Sequence, residues 1–306
     1  MQLNEFPQSS RITIESREIF EAAYIFLPPF ISDIAFSSLF SWQDIYPYRL
    51  SKLGPFLIVH YTADGKLVVL PPLLLQKMGN TCCFKSALKT ASDTLAGFCA
   101  KNKLKLEFRF FPEFMLKYLE KEGYTITADR DAFDYIYKRS DLEKLPGQKF
   151  QPKRNLISQF QRKYKYSFEP LTEKNSGLIY KLLENSGNPA DAKVVGRLLD
   201  NFKALGLSGM LITGESGVIA ATIGSVVKRF IYKKACRDIA VVHFEKARLE
   251  YKGAYQMINN LYCASLPEQI EYVNREEDLG LEGLRKAKLS YNPDKLLEKF
   301  TLSPKI

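Results

Sequence analysis

The densest run of chemically useful side chains lies between Asn274 and Lys288, where Arg275, Glu276, Glu277, Asp278, Glu282, Arg285, Lys286 and Lys288 fall within fifteen residues. The run follows Gln269 to Val273, which reads as a strand. Polar groups gathered at the C-terminal end of a strand can bind polar parts of a substrate and position an amine. Asn274, Arg275, Arg285 and Lys288 are therefore substrate-binding candidates, and the same residues would equally suit a salt-bridged loop around buried packing. Glu245, in the segment His243 to Ala247, is a further candidate acid.

Two other stretches suit anions. Gly253, Ala254 and Tyr255 open a predicted helix, whose exposed backbone amides and dipole favour negative charge. Lys153, Arg154 and Asn155 can contact phosphates, with Arg pairing two oxygens at once, although a solvated helical face would carry the same residues. His243 follows the apolar run Ile239 to Val242 and reads as a packed, hydrogen-bonded histidine. Trp42, Tyr46 and Tyr48 can stack a base or line a pocket, and core packing accounts for them more simply.

The elements that must position these groups follow from periodicity. Phe56 to Tyr61 and Lys66 to Leu70 flank an Ala63-Asp64-Gly65 turn, the composition of a hairpin. Leu88, Ala91, Leu95 and Phe98 share one helical face, and Leu104, Leu106, Phe108 and Phe110 alternate as a half-buried strand. A helix from about Glu113 to Gly123 and a last strand from Tyr124 to Tyr137 complete the first half. In the second half, helices around Leu178 to Leu183 and Val194 to Leu205 precede a hairpin turning at Gly214 to Gly217. A strand at Ile239 to Phe244, a helix carrying Ala254, Met257, Ile258, Leu261 and Tyr262, and a short helix from Leu281 to Lys286 follow. Between the halves, Lys138 to Pro170 holds nine Lys or Arg against three acidic residues, and predicts an amphipathic helix starting near Pro152.

Composition bounds the function. With 306 residues, 46% apolar and 25% charged, the chain is a folded protein of about two domains. A net charge of +10 favours polyanions such as RNA, anionic headgroups or CoA-type phosphates. Five cysteines without a CxxC pair, and only His60 and His243, point to a reducing interior and away from a metal site. Glu21, Pro28, Pro29 and Asp33 interrupt the most apolar stretch, Ile19 to Phe40, so no membrane span is expected. The start MQLNEF lacks the pattern of a secretory signal, and a cytoplasmic location is expected.

Hairpin, helix, strand, helix and strand thus appear twice, and this order resembles the GNAT acyltransferase superfamily. There a strand, a glycine-bearing turn and a helix N-terminus hold a pyrophosphate through backbone amides. The corresponding stretch is Phe244 to Tyr255, where Glu250-Tyr251-Lys252-Gly253-Ala254 lacks the superfamily's basic or Gln residue three positions before the glycine. Longer strings are more specific: Phe36 to Trp42 with Tyr46, Gly147 to Asn155, His243 to Ala247 with Gly253 to Gln256, and Tyr272 to Pro293. Together they resemble, over nearly the whole chain, the family named for the C-terminal domain of phosphatidylglycerol lysyltransferase.

That resemblance implies an α/β (α+β) fold of two tandem GNAT-like modules, each a mixed sheet flanked by helices, placed at residues 1–145 and 146–306. Members carrying a membrane domain move an aminoacyl group from tRNA to a lipid, and the related Fem-type enzymes move it to peptidoglycan precursors. The expected reaction is attack of an amine or hydroxyl on an activated acyl carbonyl, with aminoacyl-tRNA or acyl-CoA as co-substrate and no permanently bound cofactor. Such transfer needs a proton acceptor, for which Glu245 and Asp278 are the candidates. Possible partners are tRNA and a small-molecule, lipid or peptidoglycan-type acceptor. A non-catalytic RNA or anion binder that kept the fold is the alternative of a different class.

Overall fold

A computed structural model of the chain describes residues 3–27, 31–184, 189–232 and 235–305. The contacts divide it into two units: residues 1–133 with 229–236 and 297–306, and residues 134–228 with 237–296. The first unit contains β1 (Ser10–Arg11), α1 (Arg17–Phe26), α2 (Phe36–Trp42), β2 (Arg49–Leu53), β3 (Phe56–Ala63), β4 (Lys66–Val69) and β5 (Leu73–Leu74). It continues with α3 (Thr81–Lys101), β6 (Lys105–Pro112) and β7 (Tyr124–Ala128). To the second sheet and its helices belong β8 (Asp134–Lys138), α4 (Arg139–Lys144), α5 (Gln151–Lys163), β9 (Tyr166–Pro170), α6 (Tyr180–Leu183) and α7 (Pro189–Asp200). After them come β10 (Leu207–Gly214), β11 (Gly217–Tyr232), β12 (Ala235–Ala247), α8 (Ala254–Ser265), β13 (Tyr272–Asn274), α9 (Glu282–Leu289) and β14 (Lys295–Leu297). The last strand, β15 (Lys299–Pro304), belongs to the first unit.

The first sheet has eight strands in the order β1-β2-β3-β4-β6-β15-β7, with β5 paired to β3. The second has seven, in the order β14-β8-β13-β12-β11-β10-β9. Each contains a parallel pair joined through a helix: β4 with β6 through α3, and β12 with β13 through α8. A parallel pair needs such a crossover, whereas the antiparallel neighbours can be joined by tight turns. The turn between β3 and β4 is of this tight kind, with Asp64 and Gly65 both at positive φ, as a two-residue hairpin of matching twist requires.

The stretch read from sequence as one strand, Tyr124 to Tyr137, is two strands in different sheets, separated by a 3-10 turn at Arg130–Ala132. The helix expected from Glu113 is a six-residue 3-10 segment, Glu113–Tyr118. β15 is anchored by Lys299, which is fully buried and paired with Asp33. Pro28 and Pro29 lie outside the described residues, among which no helix is long and apolar enough to cross a membrane.

In the second unit α8 packs Met257, Ile258 and Tyr262 against Met210, Ala240 and Val242. Each large side chain buried in this way contributes roughly 1.5–3 kcal/mol. α5 begins at Gln151 with Pro152 in its first turn, and Phe160 is its fully buried anchor. Pro suits that place because its missing N–H has no partner in a first turn. These two helices and the β12–β13 pair frame the candidate site.

Candidate active site

β12 and β13 pair only from Ile239/Tyr272 to Val241/Asn274, while β12 runs on to Ala247. Beyond this point the chain after β13 turns through Glu276, Leu279 and Gly280, all at positive φ. Two non-glycine residues in that region cost free energy, and the surrounding bonds must hold them. Lys288, buried on α9, donates to the carbonyls of Arg275 at 2.5 Å, of Glu276 at 3.2 Å, and of Glu277. Burial pushes its ammonium down to about 8, against the opposing pull of Glu277.

Asp278 fixes the other half of the turn. Its fully buried carboxylate accepts from Arg285 Nε at 2.9 Å and Nη2 at 2.8 Å, from Tyr135 Oη at 2.5 Å, and from the Gly280 amide at 3.0 Å. Burial works against its charge, but the Arg285 and Tyr135 hydrogen bonds prevail and hold the carboxyl well below the usual carboxylate range. Asn274, also fully buried, ties the turn to the sheet, donating to Asp134 Oδ2 at 2.9 Å and accepting the Glu276 amide at 2.7 Å.

The consecutive residues Arg275 and Glu276 grip residues two apart on β12. Arg275 Nη2 donates to Glu245 Oε1 at 2.7 Å, and Asn259 of α8 donates to Glu245 Oε2 at 3.1 Å. The guanidinium lies 4.9 Å from the Tyr291 ring centroid and 5.7 Å from that of Tyr137. Burial disfavours its charge, but Glu245 restores it and holds the group above its ordinary value. Arg275 Nη1 and Asn259 Oδ1 are buried without a hydrogen-bond partner. Glu276 Oε1 lies 2.8 Å from His243 Nδ1, whose other ring nitrogen is 2.8 Å from Ser225 Oγ. His243 is thus packed and hydrogen-bonded at both nitrogens.

The start of α8 is covered by α5. Gly253 has φ 94°, and a Cβ there would lie 2.3 Å from the Leu156 carbonyl oxygen and 3.1 Å from Phe160 Cβ. The Lys252 amide donates to Tyr164 Oη at 3.3 Å, and the Ala254 amide to the Tyr251 carbonyl at 3.0 Å. Ala254 is buried and Tyr255 half-buried, with burial raising the Tyr255 phenol. On α5, Lys153 donates to Ser290 Oγ at 2.5 Å and lies 4.2 Å from the Tyr291 centroid. Arg154 caps the carbonyls of Leu145 and Gly147, the latter at 2.7 Å, and Asn155 is exposed.

Glu245, Arg275, Asn274, Asp278, Arg285 and Lys288 therefore meet in one hydrogen-bonded region at the end of the parallel pair. Lys153 reaches its margin through Tyr291, whereas Arg154 turns to the carbonyls of Leu145 and Gly147 and Asn155 is exposed. Asn259, Tyr137, Tyr291 and the Ser225–His243 pair were not singled out from sequence as members of this region. Asn259 carried one signal, a polar residue next to the apolar stripe of α8. The first unit has a separate cavity of about 590 Å³ lined in part by Lys85, Lys89, Tyr118, Tyr124 and Lys305.

Comparison with known proteins sets this geometry in a family. The family model described as phosphatidylglycerol lysyltransferase, C-terminal, matches residues 25–303. A conserved protein of unknown function from Bacteroides thetaiotaomicron is 32% identical, with 97% of this chain and 99% of that chain aligned at a TM-score of 0.82. L-PGS from Bacillus licheniformis shares the fold at 12% identity, 99% and 94% coverage, and a TM-score of 0.63. FemX does so at 7% identity, 97% coverage of both chains, and a TM-score of 0.61. Among curated proteins no relative was found. With its two mixed sheets, each built around a helix-linked parallel pair, the chain belongs to the phosphatidylglycerol lysyltransferase C-terminal family, an acyltransferase-type family of GNAT-like fold.

Proposed function

We propose that this protein transfers an aminoacyl group from aminoacyl-tRNA to an amine or hydroxyl acceptor of small-molecule, lipid or peptidoglycan type. The observation that carries the choice of donor is at Gly253. In acyl-CoA-dependent relatives of the fold the corresponding helix start receives a pyrophosphate, and here the Leu156 carbonyl lies against it. A carbonyl oxygen at that spot repels an anion. An ester donor, whose phosphates lie along an RNA and not in this turn, avoids the conflict. Transfer of this kind would take place in the cytoplasm, where such donors are made.

In this reading the acceptor nucleophile attacks the ester carbonyl, the tetrahedral intermediate collapses, and the ribose hydroxyl of the tRNA leaves. Glu245 takes the proton of the attacking group and returns it to the departing ribose oxygen, and Arg275 and Asn259 hold its two oxygens in place. Asp278, saturated by four donated bonds, acts as a positioning residue for the 274–280 turn. Orientation of the two substrates supplies much of the remaining acceleration.

The test is a transfer assay with aminoacyl-tRNAs carrying radiolabelled amino acids, presented with a lipid extract and with soluble amines. Label should move to an acceptor, and ribonuclease treatment of the donor should abolish the transfer. Label that moves from acyl-CoA and not from aminoacyl-tRNA would overturn the reading.

A further inference from the structure

The C-terminal end of α5 and the segment leading into α8 lie side by side and form one cationic, aromatic surface. The rings of Tyr164 and Tyr251 have centroids 4.9 Å apart. Lys163 Nζ lies 5.2 Å from the Tyr164 centroid, and the Arg248 guanidinium 5.5 Å from that of Tyr251. Tyr164 Oη donates to the Glu250 carbonyl at 3.1 Å, which joins the two segments directly. Phe168 of β9 shares the sheet face of Tyr166, whose ring packs 5.0 Å from Phe160 of α5, and 53% of Phe168 is exposed.

The charges on this surface are not balanced. Arg162, Lys163 and Lys252 are exposed and have no carboxylate partner among the described residues. Lys165 reaches only Glu215, at 3.5 Å with both side chains at least 80% exposed, a geometry of negligible worth in water. Arg248 pairs with Glu250, its near neighbour in sequence. Five cations thus face two carboxylates.

We propose that this surface binds single-stranded RNA, and that it holds the RNA of the aminoacyl donor. The second part rests on the proposed function above. A single strand offers phosphates at intervals, with unpaired base faces between them. Cations set over or beside aromatic rings, with a half-exposed Phe alongside, match both features. An anionic bilayer would satisfy the cations and the exposed Leu249, and vesicle flotation tests that alternative.

The experiment uses fluorescence anisotropy with uncharged tRNA, with a short single-stranded RNA and with a short duplex RNA, across a salt titration. The variant Arg162→Glu/Lys163→Glu/Lys252→Glu should bind both RNAs at least about tenfold more weakly, with a shallower salt dependence. Phe168→Ala should weaken the single strand about fivefold or more and leave duplex RNA unaffected. Lys85→Glu/Lys89→Glu in the first unit should bind as the parent does. Thermal melting confirms that the variants, all at exposed positions, remain folded.

The surface assignment is overturned if the triple variant binds RNA as tightly as the parent. It is overturned equally if the triple variant loses only its flotation with phosphatidylglycerol vesicles. The transfer assay separates the two ideas. If transfer from aminoacyl-tRNA persists in the triple variant with an unchanged KM, the surface is wrong and the function stands. If the parent neither binds tRNA nor transfers from it, the function itself fails.

Discussion

Arg275 and Glu245 stand thirty residues apart in the chain and meet at 2.7 Å, with side chains only 11% and 10% exposed. A pair this buried is costly to assemble and more costly to break, because removal of either partner leaves the other charge uncompensated. The pair spans the place where β12 and β13 stop pairing, so it closes the gap with charge where a sheet would close it with backbone bonds.

Glu245 and Asp278 should separate by the kind of damage their substitution causes. In the transfer assay, Glu245→Gln should lower kcat by about 10²-fold or more with KM little changed, and it should also lower stability, because buried Arg275 loses its carboxylate. Asp278→Asn should act through the 274–280 turn, costing about 2–4 kcal/mol of stability in urea unfolding because Arg285 loses its carboxylate. Unaltered turnover in Glu245→Gln would remove the proton acceptor assigned here.

Gly253→Ala should be destabilising wherever the donor binds. The added methyl would lie 2.3 Å from a backbone oxygen, at a φ of 94° that L residues rarely adopt. We expect a loss of about 2–4 kcal/mol, read as a fall in Tm. A variant as stable as the parent would show that α5 yields readily and that the helix start can be opened to an anion.

His60 should make the first unit acid-sensitive. It is 6% exposed, shares a 2.9 Å hydrogen bond with Ser51, and is pushed down to about 4 by burial and then by Arg49. The folded value lies below the unfolded value of about 6.5, so the unfolded chain takes up the proton first. Its contribution is complete above pH 6.5 and is lost as pH falls toward 4, by on the order of 3 kcal/mol. Urea unfolding followed between those pH values should show this slope, and His60→Gln should flatten it.

Cysteine reactivity should sort by burial. Cys82 and Cys83 are exposed at the start of α3, whereas Cys99 and Cys263 are buried. Burial pushes the Cys263 thiol up to about 12, so almost no thiolate forms near neutral pH. Brief alkylation of the native protein should label Cys82 and Cys83 and spare Cys99 and Cys263 until denaturant is added, with peptide mass mapping as the readout.

Much of the local structure was legible in the chain. The stripe of Ala254, Met257, Ile258, Leu261 and Tyr262 specifies α8, Asp64-Gly65 specifies the β3–β4 turn, and Pro152 marks the start of α5. Each is written within one or two turns of chain, where periodicity and backbone preference act without help. The family strings likewise brought Glu245, Arg275 and Asp278 into view as residues of one region.

Other features were decided only by the tertiary structure. β8 follows β7 in the chain and joins the second sheet, and β15 follows β14 and joins the first, because strand pairing is set by long-range contacts of which composition carries no record. Lys153 and Arg154 read as phosphate ligands, yet the fold brings Ser290 to one and the end of α4 to the other. Asp278 read as a candidate proton acceptor and Lys288 as a substrate ligand, and in the structure both donate or accept hydrogen bonds within a turn that has Glu276 and Leu279 at positive φ. A charged side chain has the same appearance in sequence whether it meets water, a substrate or a backbone carbonyl. What it meets is fixed by long-range packing, which is why the site's residue types could be read from the chain and their division of labour could not.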